Sequence, residues 1–202
     1  MGQAMNLDKA KTIFRRHDGV LRTQEAIKYG IHPRVLYALR ESGVLEQLSR
    51  GVYRLADLPP LTNQDLVTVS LRVPHGVVCL ISALAFHELT TQIPHAVYLA
   101  LERGSKLPKL EHPPLRVYRF TSDAFVAGIQ SHRLDGVSVR VYDPEKTLAD
   151  CFKYRNKLGL DVAIEALRLW RRQKRRDIGR LMAYARICHV ERVIRPYVEA
   201  LT

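Results

Sequence analysis

The acidic residues near position 145 have the types and spacing of a catalytic group. Asp143, Glu145 and Asp150, with Lys146 and Lys153, have the make-up of a metal-dependent nuclease cluster, in which carboxylates hold a divalent cation. Each residue also has a plainer reading. Asp143-Pro144 is a helix-start signature, with Asp as N-cap and Pro in the first turn. Glu145 follows where the helix dipole favours a carboxylate. Asp150 stands seven residues after Asp143, two turns along one face, and pairing of this group with the basic tail is expected. His87-Glu88 opens like the zinc motif HExxH, but Thr91 stands where its second His would be. His87 is therefore read as a hydrogen-bonded structural histidine. The chain has no GxSxG, no P-loop and no CxxC pair. Cys79, Cys151 and Cys188 sit in apolar contexts and read as small buried hydrophobes of a reducing compartment. No catalytic residue, metal or cofactor is expected.

Arginines provide the second chemistry, recognition of a polyanion. They are carried by the stretch from Thr23 to Leu55, whose pattern is helix, tight turn, helix and two-stranded hairpin. Gly30 can end the first helix in the left-handed conformation. Pro33 suits the first turn of the second, and Gly43 can end it. The runs 44–48 and 52–55 flank the turn Ser49-Arg50-Gly51. This order is the core of a winged helix-turn-helix, a common DNA-reading module. Around it, residues 7–17 read as an amphipathic helix with Asn6 as its cap, and Val20-Leu21-Arg22 as the third strand of the wing sheet.

On a helical wheel Val35, Leu36 and Leu39 cluster toward the core, while Arg34, Tyr37, Ala38 and Glu41 lie opposite and Arg40 falls at the edge. The outer face is the one a winged helix presents to the major groove. Arg34 can donate two hydrogen bonds to guanine, Tyr37 can reach a base or a phosphate, and Ala38 permits close approach. Arg40 is assigned to phosphate and His32 to the DNA backbone. Thr23, the N-cap of the first helix, and Glu41 complete the set of DNA-binding candidates. Arg50 at the wing tip suits phosphate contact or minor-groove insertion, and Arg54 either supports the wing or touches backbone. Exposed basic helix faces are often only solvated, and some winged helices bind proteins, so a protein-interaction module remains a third reading.

The 202 residues carry a net charge of +12, unevenly distributed. Residues 1–56 contribute +5, residues 57–150 contribute −1, and residues 151–202 contribute +8. Two basic ends suit a polyanion-binding protein if they share one face. The densest block gives a secondary basic patch: Arg171, Arg172, Lys174, Arg175 and Arg176. It reads either as a solvated helix end or as a contact with phosphate, RNA or a protein partner. Trp170 falls on the apolar side of its helix and is assigned to the core. The chain has no apolar run long enough to span a membrane and no signal-peptide or myristoylation pattern at its N-terminus, so a cytoplasmic location is expected.

Asp57-Leu58-Pro59-Pro60 marks the expected domain boundary, giving a winged helix over 1–58 and a second domain over 61–202. In the second domain a helix is predicted over 66–73, a short strand at 77–80, a helix over 82–88 and strands over 97–102 and 115–120. A hairpin, 128–134 and 137–142, turns on Asp135-Gly136. A helix to about Lys157 and three more to the C-terminus follow. The fold class is α+β: an N-terminal winged helix-turn-helix, then a mixed α/β domain with a helical, basic C-terminal tail.

Three segments resemble the AbiEi family of antitoxins. They are Gly19 to Thr23 with the turn Gly30-Ile31-His32-Pro33-Arg34 and the wing from Gly43 to Arg54; the helix Ser82 to Thr90; and the run Tyr142 to Asp150 with its Thr-Leu-Ala-Asp. The arginine–glycine–hydrophobic–tyrosine wing turn is the most family-like piece. The resemblance implies a winged helix followed by an antitoxin domain, repression of the protein's own operon through inverted repeats, and counteraction of a nucleotidyltransferase-type toxin without a stable complex being required. The alternative is a metal-dependent nucleic-acid-processing enzyme that docks substrate through its winged helix, with Mg²⁺-dependent cleavage lost in Asp143→Ala or Asp150→Ala.

Overall fold

The computed structural model describes the backbone of residues 2–201 and the side chains of residues 7–200. The chain divides into two compact units, residues 1–74 with 133–139, and residues 75–132 with 140–202.

The first unit opens with α1 (Gly2–Arg16), which starts earlier than predicted and places Asn6 inside the helix rather than at its cap. It continues with β1 (Val20–Arg22), α2 (Thr23–Lys28), α3 (Pro33–Glu41), β2 (Leu45–Ser49) and β3 (Val52–Leu55). The strands form an antiparallel sheet in the order β1-β3-β2, the wing sheet expected from the sequence. Phe14, Ala26, Leu36, Leu39, Leu45 and Leu55 are buried together in its core. These are the apolar faces of the helices and the inward side of the sheet, as period 3.6 and period 2 require.

The unit does not end at the double proline. α4 (Gln64–Arg72) packs on β2 and β3 and belongs to the same unit. The Pro59 carbonyl accepts a hydrogen bond from Arg54, which stitches the Pro-Pro segment onto the wing instead of freeing it as a linker. The tip of the predicted hairpin also groups here. Asp135 (φ +46°) and Gly136 (φ +82°) both take positive φ, as a tight two-residue turn demands. Asp135 Oδ2 accepts from the Thr62 and Asn63 amides at 3.1 and 3.5 Å, ahead of α4, and Arg133 pairs with Asp18.

The second unit is built on a five-stranded sheet in the order β6-β5-β4-β8-β7, from β4 (Val77–Val78), β5 (Val97–Glu102), β6 (Leu115–Phe120), β7 (Ile129–Leu134) and β8 (Val137–Tyr142). β5 runs antiparallel to β4 and parallel to β6, and β4 runs parallel to β8. The helices are α5 (Leu80–Phe86), α6 (Ser122–Val126), α7 (Pro144–Lys153), α8 (Arg155–Leu158), α9 (Leu160–Arg172), α10 (Ile178–Ile187) and α11 (Glu191–Leu201). The single helix predicted from Pro144 to Lys157 is two, and the one-turn α6 was not predicted. No helix among the described residues is long and apolar enough to cross a membrane.

Gly128 shows how tightly this unit is packed. Its φ is +74°, and a Cβ there would lie 2.5 Å from the Cβ of Lys146. Gly128→Ala is expected to lose about 1–2 kcal/mol to the left-handed backbone alone, with the collision adding to it. A fall in thermal midpoint of several degrees checks this. A midpoint equal to the parent's would contradict the packing described.

Candidate nucleic-acid interface

α3 is set by its two ends. Gly30, at φ +86°, turns the chain out of α2. His32 caps α3, its Nδ1 accepting from the Arg34 amide at 3.2 Å, and Pro33 opens the first turn. His32 is exposed but its ring is already engaged as a cap. Leu36 and Leu39 face the core, Val35 is half-buried, and Arg34, Tyr37, Ala38, Arg40 and Glu41 face solvent. Tyr37 is 51% exposed, a large aromatic that the fold leaves uncovered. The Arg40 guanidinium lies 5.7 Å over the Tyr37 ring and donates to Gln47 Oε1 at 3.2 Å, which ties the outer face of α3 to β2.

Arg50 sits at the exposed turn of the wing, and Gly51 takes the positive φ (+74°) that the turn needs. The wing is fastened to α2 by Thr23, whose amide and hydroxyl donate to the Gly51 carbonyl at 2.9 and 3.4 Å. Thr23 thus positions the wing tip. A second fastening comes from α4, where Arg72 Nη1 donates to the Arg50 carbonyl at 2.5 Å.

Around this point lies an open cavity of about 470 Å³, lined by Arg22, Thr23, Gln24, Arg50, Gly51, Val52, Leu71 and Arg72. Three guanidinium side chains border it and no carboxylate does. Arg22 Nε is buried without a hydrogen-bond partner. Cations gathered in this way repel one another unless an anion lies among them, and a phosphate oxygen suits guanidinium geometry. Neither Arg22 nor Arg72 stood out in the sequence. Arg22 reads there as a strand residue, and Arg72 reaches the wing only because α4 packs on the sheet.

Of the two roles open to Arg54, wing support is the one it takes. It is 5% exposed, pairs with Glu46 at 2.5 Å and donates to Pro59. β3 is the central strand of the wing sheet and all four of its residues are buried. Arg54 supports the wing and is withdrawn from the DNA-contact set.

The secondary basic patch lies in the second unit, at the end of α9 and in the loop after it. Arg171, Arg172, Lys174, Arg175 and Arg176 are all exposed. Arg176 Nη1 donates to the Arg171 and Gln173 carbonyls at 2.9 and 3.3 Å, so it caps the helix C-terminus, where a cation also complements the dipole. Trp170 is buried, as expected, and donates to Glu145 Oε1 at 2.9 Å.

The acidic cluster is interior. Asp143 Oδ1 caps α7 through the Lys146 amide at 2.8 Å, and its Oδ2 meets the Tyr184 hydroxyl and the Arg180 guanidinium, each at 2.9 Å. Glu145 Oε1 accepts from Trp170 and from the Asp177 amide. Asp150 Oδ2 accepts from Lys146 Nζ at 2.6 Å, and the Cys188 thiol donates to Oδ1 at 3.3 Å. Lys146 Nζ also lies 4.2 Å from the Tyr142 ring centroid and 4.8 Å from that of Phe120. Pairing with the basic tail therefore holds for Asp143, through Arg180, while Asp150 takes its cation from its own helix. Burial pushes the Asp150 carboxyl up, against the pull of the Lys146 ammonium. Among the described residues no group of three or more His, Cys, Asp and Glu is arranged to hold a metal ion. The three cysteines are buried and unpaired, and burial pushes their thiols up, that of Cys188 to about 12.

His87 ends α5 with Nε2 2.7 Å from the Tyr142 carbonyl, which assigns the ring proton to that nitrogen, and Gln173 donates to the His87 carbonyl. Burial pulls the imidazole below its ordinary 6.5 more strongly than the Tyr142 hydrogen bond lifts it. The fold thus favours neutral His87, whereas the unfolded chain takes up a proton near 6.5. Its contribution to stability is complete above that value and declines as pH falls toward the depressed folded value. Unfolding by urea between pH 7.5 and 5 is expected to show a smaller acid-side loss in His87→Gln than in the parent. Equal losses would contradict a neutral, half-buried His87.

Residues 8–56 match the family model described as "Transcriptional regulator, AbiEi antitoxin". The match covers the winged helix, about a quarter of the chain, including the turn and wing that carry the resemblance. No curated protein matches the chain. Among solved structures, the RV2827C protein from Mycobacterium tuberculosis is similar at a TM-score of 0.54 and 14% identity, over 98% of this chain and 81% of that one. That likeness is one of fold.

Proposed function

We propose that this chain, whose winged helix is that of an AbiEi antitoxin transcriptional regulator, is the antitoxin of a toxin–antitoxin pair and represses its own operon. The family match supports a DNA-binding regulator. The observation that carries the reading is the wing itself: Arg22, Arg50 and Arg72 border one cavity without a carboxylate, joined through β2 and β3 to a helix that exposes Arg34, Tyr37 and Ala38. The arginine group holds the phosphate backbone, and the helix reads base edges in the major groove. The operator is double-stranded DNA upstream of the gene, with inverted repeats as the expected arrangement. The partner is a nucleotidyltransferase-like toxin, countered functionally and without a stable complex being required.

A reporter driven by the chain's own upstream region tests the repressor role. Parent protein should silence it, and Arg34→Ala should release it, as loss of a good bidentate base contact costs about 1–3 kcal/mol. Equal silencing by parent and Arg34→Ala would remove α3 as the reading helix. Co-expression with the product of the neighbouring gene, scored for growth, tests the antitoxin half. Growth arrest that the chain relieves supports it, and arrest that it leaves unchanged counts against it.

A further inference from the structure

We propose that the second unit has its own binding site for single-stranded nucleic acid, a basic and aromatic cavity at the free edge of β6. Among the described residues β6 is the last strand of its sheet and pairs only with β5. An edge strand turns one row of backbone N–H and C=O groups away from the sheet. Beside that row is an open cavity of about 490 Å³ lined by Arg116, Val117, Tyr118, Arg119, Tyr154 and Lys157. Arg116, Arg119 and Lys157 are exposed, no carboxylate lines the cavity, and none of the three makes an ion pair among the described residues.

The cavity is held in shape before any ligand arrives. The Arg116 guanidinium lies 5.5 Å over the Tyr98 ring and donates to the Tyr98 hydroxyl at 3.2 Å. Tyr98 stacks on Tyr118 with ring centroids 5.9 Å apart, and Tyr118 meets Tyr154 edge-on at 4.9 Å. The Tyr154 hydroxyl donates to the Arg119 carbonyl at 3.4 Å. Burial pushes the Tyr154 phenol up to about 12, so it remains a neutral donor at physiological pH.

Cations interleaved with aromatic rings are the chemistry that binds unpaired nucleotides, guanidinium and ammonium groups taking phosphates while rings take bases. A duplex keeps its bases stacked inside and offers the rings nothing. The site is therefore distinct in ligand from the winged helix, and its existence does not depend on the operator reading.

The test uses the full chain and fluorescein-labelled 12-nucleotide rU and dT strands, followed by anisotropy at fixed salt. The parent should bind at least one of them, and Arg116→Ala/Lys157→Ala should weaken that binding about tenfold or more, because two phosphate contacts are lost. Tyr154→Leu should weaken it too, with circular dichroism confirming the fold. Arg50→Ala should bind the strands as the parent does, which separates this site from the wing. Preference for rU over dT identifies RNA as the ligand, and equal affinity identifies either strand. No binding by the parent, equal binding by Arg116→Ala/Lys157→Ala, or binding at this edge of an acidic peptide but of neither strand would overturn the proposal.

Discussion

Arg50→Ala should weaken binding to the duplex upstream of the gene by about 5- to 30-fold, the worth of one charge-assisted phosphate hydrogen bond at roughly 1–2 kcal/mol. It should do so on any duplex sequence and leave the thermal midpoint in place. The side chain of Arg50 is exposed at the wing turn, and the backbone bonds that fasten the turn come from Thr23 and Arg72 to main-chain carbonyls. Removing the side chain thus deletes a cation while sparing the support. The plot of log K against log salt should flatten by about 0.9 for the lost phosphate contact. Arg34→Ala is its counterpart, costing affinity for the operator while leaving affinity for unrelated duplex nearly unchanged. Should Arg50→Ala match the parent in affinity and salt slope, the wing tip does not touch phosphate.

Lys146→Met should destabilise the chain by about 3–5 kcal/mol, because it strands the fully buried Asp150 carboxylate without its ammonium. Neither side chain is exposed, and they are 2.6 Å apart. Lys146→Met/Asp150→Leu should recover most of that loss, since replacing both members of a buried pair with apolar groups is close to neutral. Urea unfolding of the two variants checks the contrast. Operator binding by the folded fraction should be unchanged in both, since the pair lies inside the second unit. A double variant as unstable as the single one would mean that packing on Phe120 and Tyr142 matters more than charge.

Much of the wing was legible in the sequence because its determinants are local. Pro33, Gly43 and Gly51 fix turns, and the spacing of Val35, Leu36 and Leu39 fixes which side of α3 is inward. The Asp135-Gly136 hairpin and the Asp143 cap were legible for the same reason. What was not legible depends on elements brought together from afar. In the sequence Arg54 is open between supporting the wing and touching DNA backbone, because strand alternation shows a residue's face but not whether the Pro59 segment lies over that face. Arg72 has no reading of its own in the sequence, because nothing in residues 64–72 says where α4 will pack. Asp150 pairs with Lys146 at helical spacing i, i+4, a rule available from sequence, whereas the tail pairing expected of the acidic group is met at Asp143 through Arg180. The cavity at β6 depends on β6 meeting Tyr154 and α8, and its two groups of residues, Arg116 to Arg119 and Tyr154 with Lys157, stand 35 positions apart in the chain.

The most direct test of the central claim is the ratio of affinities of the full chain for two duplexes of equal length and equal salt. One is the region upstream of its own gene and the other a scramble of it. The account predicts that the first is bound at least about 10³-fold more tightly, as expected of a protein that reads base edges as well as phosphates. Equal affinity for both duplexes would contradict it, leaving a basic winged helix that holds DNA without reading it.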